Sequence, residues 1–454
     1  MLPGDFINQA GATANLTSVT IGGSGYNYGN FNVNGLVTIA GPIAQQLGGV
    51  INIPVGANLD MSNPAGLFSW NDGTIAGTGA VGFSGGGSFN FAGNGQRVID
   101  GLNFSFNNLT LPNGSLTLKS GSLTLSGATV LPTGVALNLE GGTLTNNGSL
   151  AVAGTFGLTG GAFAGPGTLS MTGGSMNLPT GNSVAWTNSG LLTNTGTLNL
   201  AGSAITNAID NQGIINLGSG LSFVNAVTNT GTLVAQAGTT TQFSAGLTQQ
   251  AGGQLQLNNG NLTGNVNMAN GSISGSGTIN GNLVVGSATL APGFSPGAIT
   301  ITGNLTMAAN SVLNIELGGP GQGTGYDWVN VLGTAQLGGT LNVVSYNGFT
   351  PPAGSSYNVM QFASKTGNFA TVNLTAAPSL VVSGLATSLR LAMPELVAQA
   401  PAPAPAAPQT PAPAAVAQVI VAETRLEEVQ ELVAELKVEP PRKSDKEPEV
   451  EACP

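Results

Sequence analysis

Between Thr193 and Ala235 the chain writes one alternation three times. Thr193-Asn194-Thr195-Gly196-Thr197-Leu198-Asn199-Leu200 is followed by Asp210-Asn211-Gln212-Gly213-Ile214-Ile215-Asn216-Leu217, and then by Thr228-Asn229-Thr230-Gly231-Thr232-Leu233-Val234-Ala235. In each copy an asparagine stands two before a glycine, and apolar residues stand two and four after it. Alternation by two places those apolar side chains on one face of a short strand, so Ile215 is expected to point inward and Asn216 outward. Gly196, Gly213 and Gly231 are 17 and 18 residues apart. That period is too short for a globular module and fits one turn of a solenoid, in which successive strands lie one above another.

The same text extends in both directions. Leu116-Thr117-Leu118, Leu123-Thr124-Leu125 and Leu137-Asn138-Leu139 are successive short strands separated by Lys119-Ser120-Gly121-Ser122 and by a Pro132-Thr133-Gly134 turn. Three-sided coils stacked at the ~4.8 Å strand spacing make residues 1–317 a rod of roughly 70 Å. Asn146, Asn188, Asn194, Asn211, Asn229 and Asn258 all stand two before a glycine. Stacked at a turn, such amides form a hydrogen-bonded ladder, with Gly196, Gly213 and Gly231 expected to supply positive φ. In the first 110 residues, Tyr26, Tyr28, Phe31, Phe89, Phe91, Phe104 and Phe106 are expected to stack inside the coils in preference to forming an external sugar platform.

Composition agrees with an all-β repeat protein. The 454 residues include 71 glycines, 41% are hydrophobic and 6% are charged, which leaves many brief strands and frequent turns. The net charge of -10 is uneven: residues 1–390 hold 8 acidic and 4 basic side chains, and residues 391–454 hold 11 and 5. With no basic patch, nucleic-acid binding is not expected. No apolar run is long enough for a membrane-spanning helix. Met1-Leu2-Pro3-Gly4-Asp5 lacks signal-peptide features, and the expectation is a fragment of a longer exported protein.

Toward the end the text changes. Residues 318–392 read as closing coils with an antiparallel β cap over the open end of the solenoid. Residues 393–415 are a Pro/Ala-rich linker, stiff and extended. Val419, Ala422, Leu426, Val429, Val433 and Leu436 give residues 416–438 a helical stripe, read either as a docking element for an export or anchoring partner or as a solvated helix. Residues 439–454 are a charged, disordered tail. The single cysteine, Cys453, allows no intramolecular disulfide and is a candidate for a bond between chains.

One stretch carries a family resemblance. Leu290-Ala291-Pro292-Gly293-Phe294-Ser295-Pro296-Gly297 is followed by Ile299-Thr300-Ile301, Tyr326-Asp327-Trp328-Val329 and Gly338-Gly339-Thr340-Leu341. This order resembles the closing coils of passenger regions in bacterial autotransporter and filamentous-haemagglutinin-like adhesins, in detail over about residues 290–375. Phe68-Ser69-Trp70-Asn71-Asp72-Gly73-Thr74-Ile75 resembles a segment of large bacterial surface β-helix proteins. The resemblance implies a right-handed parallel β-helix, export across a Gram-negative envelope, a location that is secreted or at the outer-membrane surface, an outer-membrane secretion partner, and adhesion to host cells, matrix or other bacteria. No run of amphipathic ten-residue strands for a membrane barrel follows, which departs from a one-chain autotransporter.

Candidate chemistry is sparse. With no histidine in the chain, Gly293-Phe294-Ser295-Pro296-Gly297 matches the serine nucleophile pattern without a base to activate it. Gly77-Thr78-Gly79-Ala80-Val81-Gly82 matches a dinucleotide fingerprint without the helix that pattern needs, and Gly323-Thr324-Gly325-Tyr326-Asp327 is a single copy of a calcium-roll-like repeat. No cofactor, metal or catalytic residue is assigned. The leading expectation is a non-enzymatic adhesin-like rod. Two alternatives stand beside it: a polysaccharide lyase or glycosidase on the same fold, and a passive matrix or spacer protein. For the enzyme, the sequence offers Asp60 with Asp72, Arg97 with Asp100, and Glu316 with Asp327 as neighbouring charged groups.

Overall fold

A computed structural model describes residue 2 and residues 4–60, 67–82 and 88–395. The described chain is all-β, with parallel coils stacked into a solenoid of about 15 turns and no helix. The linker beyond residue 395, the helix expected over 416–438, the tail 439–454 and Cys453 lie outside the described residues.

Each coil contributes up to three short strands, and each strand pairs in parallel with its counterpart in the next coil. In the central coils the first face carries Leu192–Asn194, Ile209–Asn211 and Val227–Asn229, and the second carries Thr197–Leu200, Ile214–Leu217 and Thr232–Ala235. The third carries Leu221–Phe223 and Thr240–Phe243. The second face is continuous from Thr13–Leu16 to Thr371–Leu374, so parallel stacking passes residue 317 without a break. Antiparallel pairing between whole strands comes beyond it, where Ser388–Ala392 joins both Ser356–Gly367 and Val381–Gly384. This closes the apolar column with a different hydrogen-bonding direction, as an end cap must.

The core follows from the alternation. Leu198, Ile215, Leu233 and Leu255 are each fully buried and lie in register on the second face, with Leu200, Leu217, Ala235 and Leu257 as a parallel column. Asn216 points outward, where its Nδ2 donates to Asn199 Oδ1 at 2.7 Å and Asn199 Nδ2 donates to Asn177 Oδ1 at 2.6 Å.

The aromatic side chains divide by parity. Phe31, Phe91 and Phe104 are buried, whereas Tyr26 and Tyr28 stand outside with stacked rings 6.4 Å apart. The expectation that these tyrosines stack inside the coils is therefore corrected. Asn27, between them, is fully buried at a coil corner, and period-two alternation then forces both neighbours out.

The glycines also act differently from the expectation. Gly196, Gly213 and Gly231 do not have positive φ. They sit one above another, and a Cβ on Gly213 would overlap the carbonyl oxygen of Gly196, just as one on Gly231 would overlap that of Gly213. Glycine is needed here so that backbones approach closely between coils, and conformational freedom is not the reason. Gly213→Ala should therefore cost about 2 kcal/mol through forced separation of the coils, read as a lowered denaturant midpoint. A variant as stable as the parent would show that the coils have slack at this corner.

Candidate functional site

Amides that share a spacing in the sequence occupy three different places. At the corner between the first and second faces, Asn194 Nδ2 donates to Asn211 Oδ1 at 2.6 Å, Asn211 Nδ2 to Asn229 Oδ1 at 2.5 Å, and Asn229 Nδ2 to Gln249 Oε1 at 2.7 Å. A second run at the same corner links Asn8, Asn27 and Gln45. Asn146, Asn188 and Asn207 belong instead to the corner between the third and first faces, where Asn207 Nδ2 donates to Asn188 Oδ1 at 2.9 Å. Asn258 is exposed at a register shift and joins neither ladder.

The ladders end where the next coil has no acceptor to offer. Trp70 lies in register with Gln45, and Met268 with Gln249. Indole nitrogen only donates and a thioether hardly accepts, so Gln45 Nε2 and Gln249 Nε2 are left without partners. Past Trp70 the first corner is filled from the second face by Arg97, fully buried. Its Nε donates to the Trp70 carbonyl at 2.6 Å, its Nη1 to that of Asn113 at 3.0 Å, and its Nη2 to those of Gly93, at 2.8 Å, and Ala92. Burial pulls its pKa below the ordinary value, and the charge of Asp72 opposes that shift. Nothing along the chain marks this arginine as inward beyond its shared parity with the apolar Ile99.

Of the three charged pairs read from sequence, one is brought together. Asp60 ends the strand Asn58–Asp60, whereas Asp72 sits in the bend between the strands Leu67–Trp70 and Gly73–Gly77 of two other sheets. Arg97 points inward, while Asp100 accepts from Ser120 Oγ at 2.5 Å and pairs with Lys119 Nζ at 3.3 Å. Hydrogen bonding from Ser120 and the Lys119 partner hold the Asp100 carboxyl below its usual range, against a weaker opposing effect of burial.

Glu316 and Asp327, by contrast, both line a groove of about 920 Å³ on the outer side of the closing coils. Asp327 is buried, with Oδ1 accepting the Gly297 N–H and Oδ2 accepting the Glu316 N–H, each at 2.8 Å. It thereby ties the Pro292–Gly297 turn to the strand Val312–Leu317. In that turn Ser295 has φ of 112°, and Gly293 and Gly297 approach so closely that a side chain on either would overlap the other's backbone. The serine of the nucleophile-like pattern is thus part of a tight turn, and the aspartate of the calcium-like repeat is committed to backbone N–H groups. Among the described residues no cluster of three or more His, Cys, Asp or Glu side chains could hold a metal ion.

Burial pushes the Asp327 carboxyl up to about 7, against the two N–H bonds from Glu316 and Gly297, and the nearby Glu316 charge adds to the rise. Glu316 Oε2 is shielded from solvent and has no hydrogen-bond partner. The fold holds a proton on Asp327 at pH values where the unfolded chain, titrating near 3.8, has released it. The associated stability is complete below about 3.8 and is lost as pH rises through about 7. Between pH 8 and pH 5 the parent should gain about 2 kcal/mol relative to Asp327→Asn, measured by paired denaturant titrations. Parallel pH profiles for the two proteins would contradict this.

Comparison with known proteins finds no family model that matches the chain and no curated protein similar to it in sequence.

Proposed function

We propose that the protein is a non-enzymatic, adhesin-like solenoid of the bacterial surface or secreted fraction, whose rod presents outward faces and turns for attachment to cells, matrix or other bacteria. The observation that carries this reading is the use made of Asp327. The acid best placed for proton transfer in the groove is buried and gives both oxygens to backbone N–H groups, so its carboxyl secures a turn. Along the second face the outward side carries neutral amides such as Asn177, Asn199, Asn216, Asn314 and Asn342, a surface suited to recognition by hydrogen bonds. The resemblance of residues 290–375 to adhesin closing coils supports the same reading. The test is binding of the labelled full chain to bacterial and host cells beside an unrelated β-solenoid. Binding above that control is expected, and equal binding would favour a passive spacer.

A second reading, a carbohydrate-active enzyme, is favoured by one observation: Glu316 and an acid that titrates near 7 line the same groove. Such a pair has the ingredients of general acid catalysis of glycoside cleavage. Product release from pectin, alginate or capsular polysaccharide, abolished by Glu316→Gln, would replace the first reading with this one.

A further inference from the structure

The groove beside Asp327 has features that a structural turn does not require. Its floor is the outer side of the second face, where strands from successive coils place Asn314, Asn342 and Asn373 in one column. Asn342 Nδ2 donates to Asn314 Oδ1 at 3.0 Å, and Asn373 Nδ2 donates to Asn342 Oδ1 at 2.8 Å. An amide carries two N–H donors and two acceptor lone pairs, so a column of this kind uses about half of them and leaves the rest facing the groove. Phe294 also lines the groove and is 58% exposed at the tip of the turn. An apolar ring held out in water by a tight turn is a preformed stacking surface. Glu316 adds a carboxyl to the lining, and no lysine or arginine lines the groove.

We infer that this groove binds a neutral, extended oligosaccharide lying along the solenoid axis, with its hydroxyls on the Asn314, Asn342 and Asn373 amides and a sugar ring against Phe294. Sugar hydroxyls both donate and accept, as the amides do. The rise between coils, ~4.8 Å, is close to the length of one pyranose in an extended chain, so successive rings meet successive amides. The volume, about 920 Å³, admits several sugar rings. Glu316 selects against uronic acids, because a second carboxylate would face it without an intervening cation.

The inference rests on the attachment reading for its biological role, and its site can fail separately. The test is calorimetric titration of the full chain with cello-, xylo-, laminari- and N-acetylchito-hexaose, with oligogalacturonate as the acidic comparison. At least one neutral oligosaccharide should bind at micromolar to millimolar concentration. Phe294→Ala and Asn342→Ala should each weaken that binding about tenfold or more, while Leu332→Ala, an exposed residue outside the groove, leaves it unchanged. Phe294 is exposed, so its truncation leaves the fold intact and the result remains readable even if Asn342→Ala melts early. No binding of any neutral oligosaccharide at millimolar concentration, binding that survives Phe294→Ala, or tighter binding of oligogalacturonate would each overturn the inference. Persistence of cell attachment in the Phe294→Ala protein would then leave the attachment reading standing without this site.

Discussion

Ile215→Asp is expected to cost about 5 kcal/mol, because it places an unpaired carboxylate in the apolar column between Leu198 and Leu233. No described cation lies in that column, and the packed neighbours leave no path by which the side chain could reach water. A solenoid coil contacts chiefly the coils above and below it, so the damage should be local. Hydrogen exchange should show lost protection over residues 192–235 and retained protection near Thr340–Ser345. The neighbouring change Asn216→Asp is a useful contrast. Pointing outward does not make Asn216 inert, since it donates to Asn199. Replacing that donor with a carboxylate oxygen should cost about 1 kcal/mol. Equal effects of the two variants would mean that the inward and outward sides of this strand are exchanged.

Arg97→Met should be nearly as damaging, at about 4 kcal/mol by urea titration. Methionine fills similar space but leaves the carbonyls of Ala92, Gly93 and Asn113 without the guanidinium donors they now have, and that of Trp70 with the Ala92 N–H but not Arg97 Nε. The guanidinium also lies 5.9 Å from the centre of the Phe91 ring, a contact that an ammonium on a flexible stem would not reproduce in the same geometry. Arg97→Lys should accordingly recover only part of the loss, because three donors on one nitrogen cannot span carbonyls from separate turns. A methionine variant within about 1 kcal/mol of the parent would show that those carbonyls find water or other partners readily.

These two cases mark what could be read along the chain and what could not. The period-two alternation around Gly196, Gly213 and Gly231 was enough to place Leu198, Ile215 and Leu233 inward, and their near-constant spacing was enough to stack them. Both properties are local: parity is set within a strand, and register survives wherever coil length hardly changes. The ladder of Asn194, Asn211 and Asn229 was legible for the same reason. Where coil length varies, the same Asn-x-Gly spacing falls at different corners, and so Asn188 joins another ladder and Asn258 joins none.

Other features depended on contacts between coils. The sequence marks Gly213 as special, but only stacking reveals that the constraint is the carbonyl of Gly196 and not its own backbone angles. In the sequence Arg97 stands only as a charged neighbour of Asp100, and it is stacking that encloses carbonyls needing its donors at the corner above Trp70. Glu316 and Asp327 were one of three possible carboxylate or charge pairings. Their selection came from an 11-residue excursion that returns Asp327 beneath the Pro292–Gly297 turn, where two backbone N–H groups converge on it. The sequence by itself determined the alternation, the repeat and hence the column of the core, because these need only strand geometry and a constant period. The tertiary structure decided which polar groups the corners enclose and which acids meet, because burial and hydrogen-bond satisfaction depend on what the neighbouring coil presents.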